Sequence, residues 1–382
     1  MNLPQPTVEA IAHSAKVTDM VRQYIKQADG MLPFETYMNL VLYEPELGYY
    51  VTGTQKFNEF GDFTTAPELG SIFGRCLARQ AAEVLRKLGG GSILEVGPGT
   101  GALASAMLEE LETLDVMPEQ YAFLEISPEL KDRQQQYLSN RSGHHFSRYK
   151  WLETLPTDWT GLVLANEVVD AFPVSLFRAK PQHATVAYVY DKGGVLGLCW
   201  SDKARSARGD SIVEIHDLPE GYISEYSDRA QAWAATISSM LSSGLMLIID
   251  YGYSAREYYH PDRINGTLMC HYQHRAHTNP LWYPGIQDIT THVDFSAFAA
   301  AGLEAGCELA GFSTQEAFLL SLGITDFAEH LKEPYQLATT SHEIRQLILP
   351  SAMGQTFKVL GLAKRLEGPL RGFSLRDRSD TL

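Results

Sequence analysis

Three glycines at alternate positions, Gly97, Gly99 and Gly101, follow directly on the apolar run Ile93-Leu94-Glu95-Val96. Lacking a Cβ, each lets the backbone turn sharply and come close to a ligand. With Pro98 and Thr100 between them and a helix expected from Ala102 to Leu114, the stretch reads as strand, Gly-rich turn and helix N-terminus. That is a corner for nucleotide-like ligands. A second polar group, Asn166-Glu167-Val168-Val169-Asp170, follows the apolar run Gly161 to Ala165. It falls at the carboxyl end of a central strand, where α/β sheets place ligands. Glu167 and Asp170 are three apart and share a face if the turn is helical. Asp170 could equally be a helix N-cap.

Two ligands compete for the Gly-rich corner. Gly97, Gly99 and Ala102 fit G-x-G-x-x-G/A, and Glu125, ending the next strand, lies near the distance expected for a ribose contact, so the spacing admits NAD. Two features favour S-adenosylmethionine. A carboxylate at Glu95 would repel a pyrophosphate but attract a sulfonium or an ammonium. Asn166 and Glu167 put polar groups on the neighbouring strand.

These groups need a sheet to hold them. Strands are expected at Ser92 to Val96, Tyr121 to Ile126, weakly at His145 to Tyr149, and at Gly161 to Ala165, with helices between, one of them starting at Ser127-Pro128. Such alternation predicts a parallel sheet covered on both faces. Before it come helices over Val8 to Ala28, Phe34 to Leu42 and Leu69 to Leu88. After Pro173 the rhythm breaks. Val174 to Gly221 reads as a β insertion with a hairpin at Asp191-Lys192-Gly193-Gly194, and it is a candidate dimer or partner surface. A helix from Ser227 to Leu241, a strand at Gly244 to Asp250 and a long His-rich loop follow, the loop too long to be a simple connection. The run Phe295 to Ala363 supplies further helices and two closing strands, and Arg371 to Leu382 reads as a low-complexity tail.

Other chemistries find less support. His271, His274 and His277 could approach one helix face, but no Cys or carboxylate completes a metal site, and His144 and His145 read as surface residues. Gly-x-Ser-x-Gly, P-loop and kinase signatures are absent. A net charge of −15 disfavours nucleic acid and anionic membrane and suits a basic partner. The four cysteines are far apart, as for free thiols in a reducing compartment. With no apolar run long enough for a membrane helix and no recognisable targeting segment, a cytoplasmic location is expected.

The ordered motifs resemble the MidA family of class I S-adenosylmethionine-dependent methyltransferases. They are Tyr43-Glu44-Pro45-Glu46-Leu47-Gly48-Tyr49-Tyr50, Gly61-Asp62-Phe63-Thr64-Thr65-Ala66-Pro67-Glu68, Leu94 to Gly101, Glu125-Ile126-Ser127-Pro128, Ala165 to Pro173, Ile249-Asp250-Tyr251-Gly252, Asp288 to Phe295 and Thr356 to Leu360. Small departures are Phe172, where the family often has Leu, and Thr291, where it often has Ala. The resemblance implies a seven-stranded Rossmann-like α/β sheet with its last strand antiparallel, a helical N-terminal arm over 1–90, core halves at 91–173 and 222–364, and a tail from 365. It implies that Gly97, Gly99 and Gly101 cradle the methionine part of S-adenosylmethionine near Glu95. Glu125, with Ile126 and Ser127, would serve the ribose end, and the loop with Gly61, Asp62 and Thr64 would cover the cofactor. The activity implied is methylation of a protein arginine, on an acceptor such as a respiratory complex I subunit. A cationic guanidinium needs carboxylates to fix its plane and balance its charge, and Asn166 and Glu167, with Asp170 as a third candidate, are expected to hold it. A small-molecule methyltransferase, an assembly factor acting by partner binding and a nicotinamide dehydrogenase are the rival readings.

Overall fold

In the computed structural model, residues 3–52, 65–201 and 206–382 are described. The strand Trp159–Asn166 (β4) runs through the middle of the larger sheet, with Leu162, Val163 and Leu164 fully buried on both faces. Beside it lies Ser92–Val96 (β1), followed outward by Tyr121–Leu124 (β2) and Tyr149–Leu152 (β3). On the other side lie Leu241–Tyr253 (β5), Phe357–Lys364 (β7) and Glu308–Thr314 (β6). The order is therefore β3-β2-β1-β4-β5-β7-β6. Strands β1 to β5 pair parallel, and β7 runs antiparallel to both of its neighbours. This is the seven-stranded path with a reversed last strand that the family resemblance implied.

The chain forms two compact units. One comprises the described residues of Thr64–Val169, Gln231–Gly252 and Phe295–Leu382, and contains the sheet β1–β4 with most of β5 and both β6 and β7. Helix Ile72–Leu88 belongs to it and packs on helix Ala102–Thr113 with Phe73, Leu77, Leu103 and Met107 buried. The expected helix from Leu69 does not run unbroken: Ala66–Leu69 stops at Gly70, and Ile72 restarts it with its amide donated to Glu343. The expected strand at His145 is displaced. Residues Gly143–Arg148 form a 3-10 turn, and β3 starts at Tyr149, where Tyr149 and Trp151 pack on Phe123 with ring centroids 5.6 and 5.1 Å away. Alternating aromatics suit a half-buried pleat better than the polar Gly-His-His run does. The residues after Arg371, read as a tail of low complexity, are ordered: Phe373 is buried against Phe318, and Arg378 donates its amide to Phe312.

The other unit comprises the described residues of Met1–Phe63, Asp170–Ala230 and Tyr253–Asp294. Its antiparallel sheet runs Leu32–Pro33, His183–Lys192, Ser175–Lys180, Ile223–Tyr226, and Val195–Ser201 pairs His183–Lys192 across the expected Gly193-Gly194 turn. The β segment extends past Gly221, because Ile223–Tyr226 pairs with Ser175–Lys180 after a helix at Ala207–Ile215 that sequence patterning missed. Helices Val8–Gln27 and Phe34–Tyr43 close the core of this unit with Val17, Val21, Phe34, Tyr37 and Val41. The His-rich loop carries its own three-stranded sheet, Arg275–His277, Met269–Tyr272 and Asp288–Thr290.

Candidate active site

The Gly-rich turn leaves β1 with Gly97, Gly99 and Gly101 all at positive φ, 63°, 54° and 85°. A Cβ at Gly97 would stand 2.9 Å from the Val168 side chain, so this position needs glycine for both angle and space. Pro98 is buried and its carbonyl accepts the Gly101 amide at 2.9 Å, closing the turn, while Thr100 is half-buried. Gly101 then caps helix Ala102–Thr113 with no side-chain acceptor. First-turn amides without such an acceptor, at the positive end of the helix dipole, suit a carboxylate or another oxygen ligand.

Glu125 follows β2 directly, beside this turn. One of its oxygens accepts the Ser127 amide at 2.8 Å and the other the Gln134 side-chain amide at 3.0 Å. The same Gln134 nitrogen donates to the Gly99 carbonyl at 2.8 Å, and its oxygen accepts the Trp151 indole N–H at 2.9 Å. Gln134 is fully buried on helix Pro128–Arg141. It therefore ties the ribose-side acid, the Gly-rich turn and β3 together, and sequence reading missed it. The first of three consecutive glutamines in the polar run Asp132-Arg133-Gln134-Gln135-Gln136 carries no periodic signal. Ser127 caps that helix through its hydroxyl, and Ile126 is exposed next to Glu125.

Glu95 lies under the turn, not at its rim. It is 3% exposed and accepts a hydrogen bond from the Tyr121 hydroxyl at 2.8 Å. Burial pushes its carboxyl up to about 8, against the opposing pull of the Tyr121 bond. The group is thus largely protonated at neutral pH in this structure, where sequence reading assumed a carboxylate.

The third component is the turn after β4. Asn166 donates to Glu167 at 3.2 Å, and the buried Asn166 Oδ1 has no hydrogen-bond partner among the described residues. Glu167 adopts φ 53°, a left-handed conformation uncommon outside glycine. Asp250, fully buried on β5, holds this turn: Oδ2 accepts the Val168 and Val169 amides at 3.2 and 3.0 Å, and Oδ1 accepts the Tyr251 amide at 2.9 Å. Sequence reading quoted Asp250 within a motif and gave it no role.

Asp170 corrects the geometry expected for it. Glu167 and Asp170 do not share a helix face, because Glu167 is left-handed and only a single 3-10 turn, Val169–Ala171, follows. Asp170 sits in the middle of that turn, so it is no helix N-cap either. It is buried, its carbonyl accepts the Thr291 amide at 2.9 Å, and Tyr43 donates to Ala171 at 2.9 Å. Tyr50 donates to Asp288 at 2.8 Å, and the rings of Tyr43 and Tyr50 stack 5.5 Å apart. Burial, then the carboxylates of Asp170 and Asp288, push both phenols well above their ordinary range. Asp288 is a second buried acid beside Asp170 that sequence reading left unassigned.

The three loop histidines do not converge. Gln273 and His274, both at positive φ, make the two-residue turn of a hairpin. His271 and His277 pair with Ala276 and Cys270, on opposite faces of that hairpin. The helix premise for them was wrong because a primed turn, and not a 3.6-residue period, sets their direction. Gly61, Asp62 and Thr64 lie outside the described residues.

These parts fit S-adenosylmethionine: a cradle without Cβ atoms, an uncapped helix start, an acid at the ribose position and an unsatisfied Asn166 oxygen on the adjacent strand. No Lys or Arg lies between Ser92 and Ala106 to meet a pyrophosphate. Comparison with known proteins gives the same result. Residues 76–313, more than half of the chain, match the family described as "Putative S-adenosyl-L-methionine-dependent methyltransferase". A crystal structure from Burkholderia thailandensis bound to S-adenosyl-homocysteine is 39% identical, with TM-score 0.96 and full coverage of both chains. The mitochondrial protein arginine methyltransferase NDUFAF7 of Danio rerio is 28% identical over 87% of this chain and 83% of its own length. The human protein of that name is 26% identical over 92% and 85%. The fold, the Gly-rich cradle and these matches agree: the chain belongs to the MidA family of S-adenosylmethionine-dependent methyltransferases.

Proposed function

We propose that the acceptor is an arginine side chain of a protein, methylated on a guanidinium nitrogen. The observation that carries this reading is the turn at Asn166 and Glu167, held in a left-handed conformation by the buried Asp250. A strained conformation fixed by its surroundings is characteristic of a working site. When bound, S-adenosylmethionine supplies an electrophilic methyl group. The chain must supply position. A guanidinium is cationic and a poor nucleophile, so its plane has to be fixed and its charge balanced by carboxylates. Glu167 is that carboxylate, and the free Asn166 oxygen accepts a second guanidinium N–H. Correct alignment alone can be worth roughly 7–11 kcal/mol of barrier. The names of the relatives and the net charge of −15, which attracts basic segments, support a protein acceptor.

The test is transfer of labelled methyl from S-adenosylmethionine into a cell lysate, followed by mass spectrometry. Label on arginine of a discrete protein is the expected outcome. Label confined to small molecules would replace the protein acceptor with a metabolite.

A further inference from the structure

Glu112, His144 and His145 form a group of potential ligand atoms away from the cofactor cradle, all within 4.8 Å of one another. Glu112 is in the last turn of helix Ala102–Thr113, and both histidines are in the 3-10 turn Gly143–Arg148. Each histidine Nε2 lies 3.5 Å from the same oxygen, Glu112 Oε2. That is too long for a good hydrogen bond. It matches the separation of neighbouring ligands in a tetrahedral zinc site, about 3.3–3.5 Å for metal–ligand bonds near 2.0–2.2 Å.

A further observation points to a ligand. The His145 side chain is 5% exposed, yet its Nε2, aimed at the group, has no hydrogen-bond partner among the described residues. Arg148, the nearest cation on the turn, donates to the Pro118 carbonyl.

We propose that Glu112, His144 and His145 bind one divalent transition metal of the zinc class, with the fourth position open to solvent. Imidazole and a single carboxylate select zinc, cobalt or nickel over magnesium. The ion staples the end of the helix that starts at Gly101 to the turn that feeds β3 and Trp151. Its role is structural.

The experiment uses the tag-free full chain, stripped with chelator and titrated with Zn2+ and, separately, with Co2+. One equivalent should bind, the melting temperature should rise and level off at that equivalent, and bound Co2+ should show the visible spectrum of tetrahedral coordination. Magnesium should do none of this. Glu112→Gln and His144→Ala should each weaken binding about 100-fold or more, at least the upper end of what outer-shell partners of a metal are worth. Both side chains are about 60% exposed, so these variants should fold as the parent does, which circular dichroism checks. The paired change His271→Ala with His274→Ala should leave binding intact. Absence of saturable binding, or equal binding by Glu112→Gln, His144→Ala and the parent, would overturn the site.

Discussion

Asp250 Oδ2 lies 3.0 Å from the amide nitrogen of Val169, across from the end of β4. With the Val168 amide at 3.2 Å, one buried carboxylate oxygen sets the path of the whole Asn166–Val169 turn. Asp250→Ala leaves these buried donors without an acceptor, at roughly 1–3 kcal/mol each. We expect a lower urea midpoint and near-complete loss of methyl transfer. Full activity in a stably folded Asp250→Ala protein would show that the turn needs no clamp.

Gln134 should act on cofactor affinity and not on the chemical step. Gln134→Leu removes the bonds to Gly99, Glu125 and Trp151 together. We expect on the order of tenfold weaker binding of S-adenosylhomocysteine by calorimetry, with turnover at saturating cofactor retained. Gln134→Glu should be worse than Gln134→Leu, since it sets a second carboxylate 3.0 Å from that of Glu125. The reverse ranking would show that shape matters here and charge does not.

Glu167 separates binding from transfer. Glu167→Gln should bind cofactor normally and lose methylation, and normal turnover would remove Glu167 from the acceptor site. Glu167→Gly should also be inactive, yet its stability should change by about 1 kcal/mol or less, because relief of the conformation at φ 53° offsets the greater freedom of glycine.

Glu95 gives stability a pH dependence of known sign. Its carboxyl stands at about 8 in the folded chain against 4.5 for the ordinary group. Between those values the folded state holds a proton that the unfolded state has released, so stability falls as pH rises from about 4.5 to 8. The contribution is on the order of 5 kcal/mol across that range. Urea titrations from pH 5 to 8.5 should show the decline, and Glu95→Gln should flatten it. An unchanged slope in the variant would place the titrating group elsewhere.

Much of the larger sheet was legible because its signals are local. The runs Leu162 to Ala165 and Leu245 to Ile249 are apolar on both faces, and Ile93 to Val96 is so apart from Glu95, as central parallel strands require. The cradle announced itself through three glycines, all of which do take positive φ. What escaped notice depends on contacts distant in sequence. Gln134 acquires its role from Gly99 and Trp151, and Asp250 from residues 81 and 82 positions away. Glu95 read correctly as unusual, but its protonation comes from its burial in the folded sheet, against the pull of the Tyr121 hydroxyl on the next strand. His274 was misread because a two-residue turn at positive φ leaves no trace in hydrophobic periodicity.

Strand β7 pairs with both β5 and β6, although Phe357 follows Tyr253 by more than a hundred residues. During synthesis, Leu241–Tyr253 and Glu308–Thr314 emerge well before the strand that separates them. Until Phe357–Lys364 arrives, each presents apolar strand edge with no partner. Such edges join other chains readily, and long-range pairing of this kind is slow. Nascent chains stalled ahead of Phe357 should therefore depend on chaperones, and a break in the gene upstream of this strand should yield aggregates and not a smaller working enzyme.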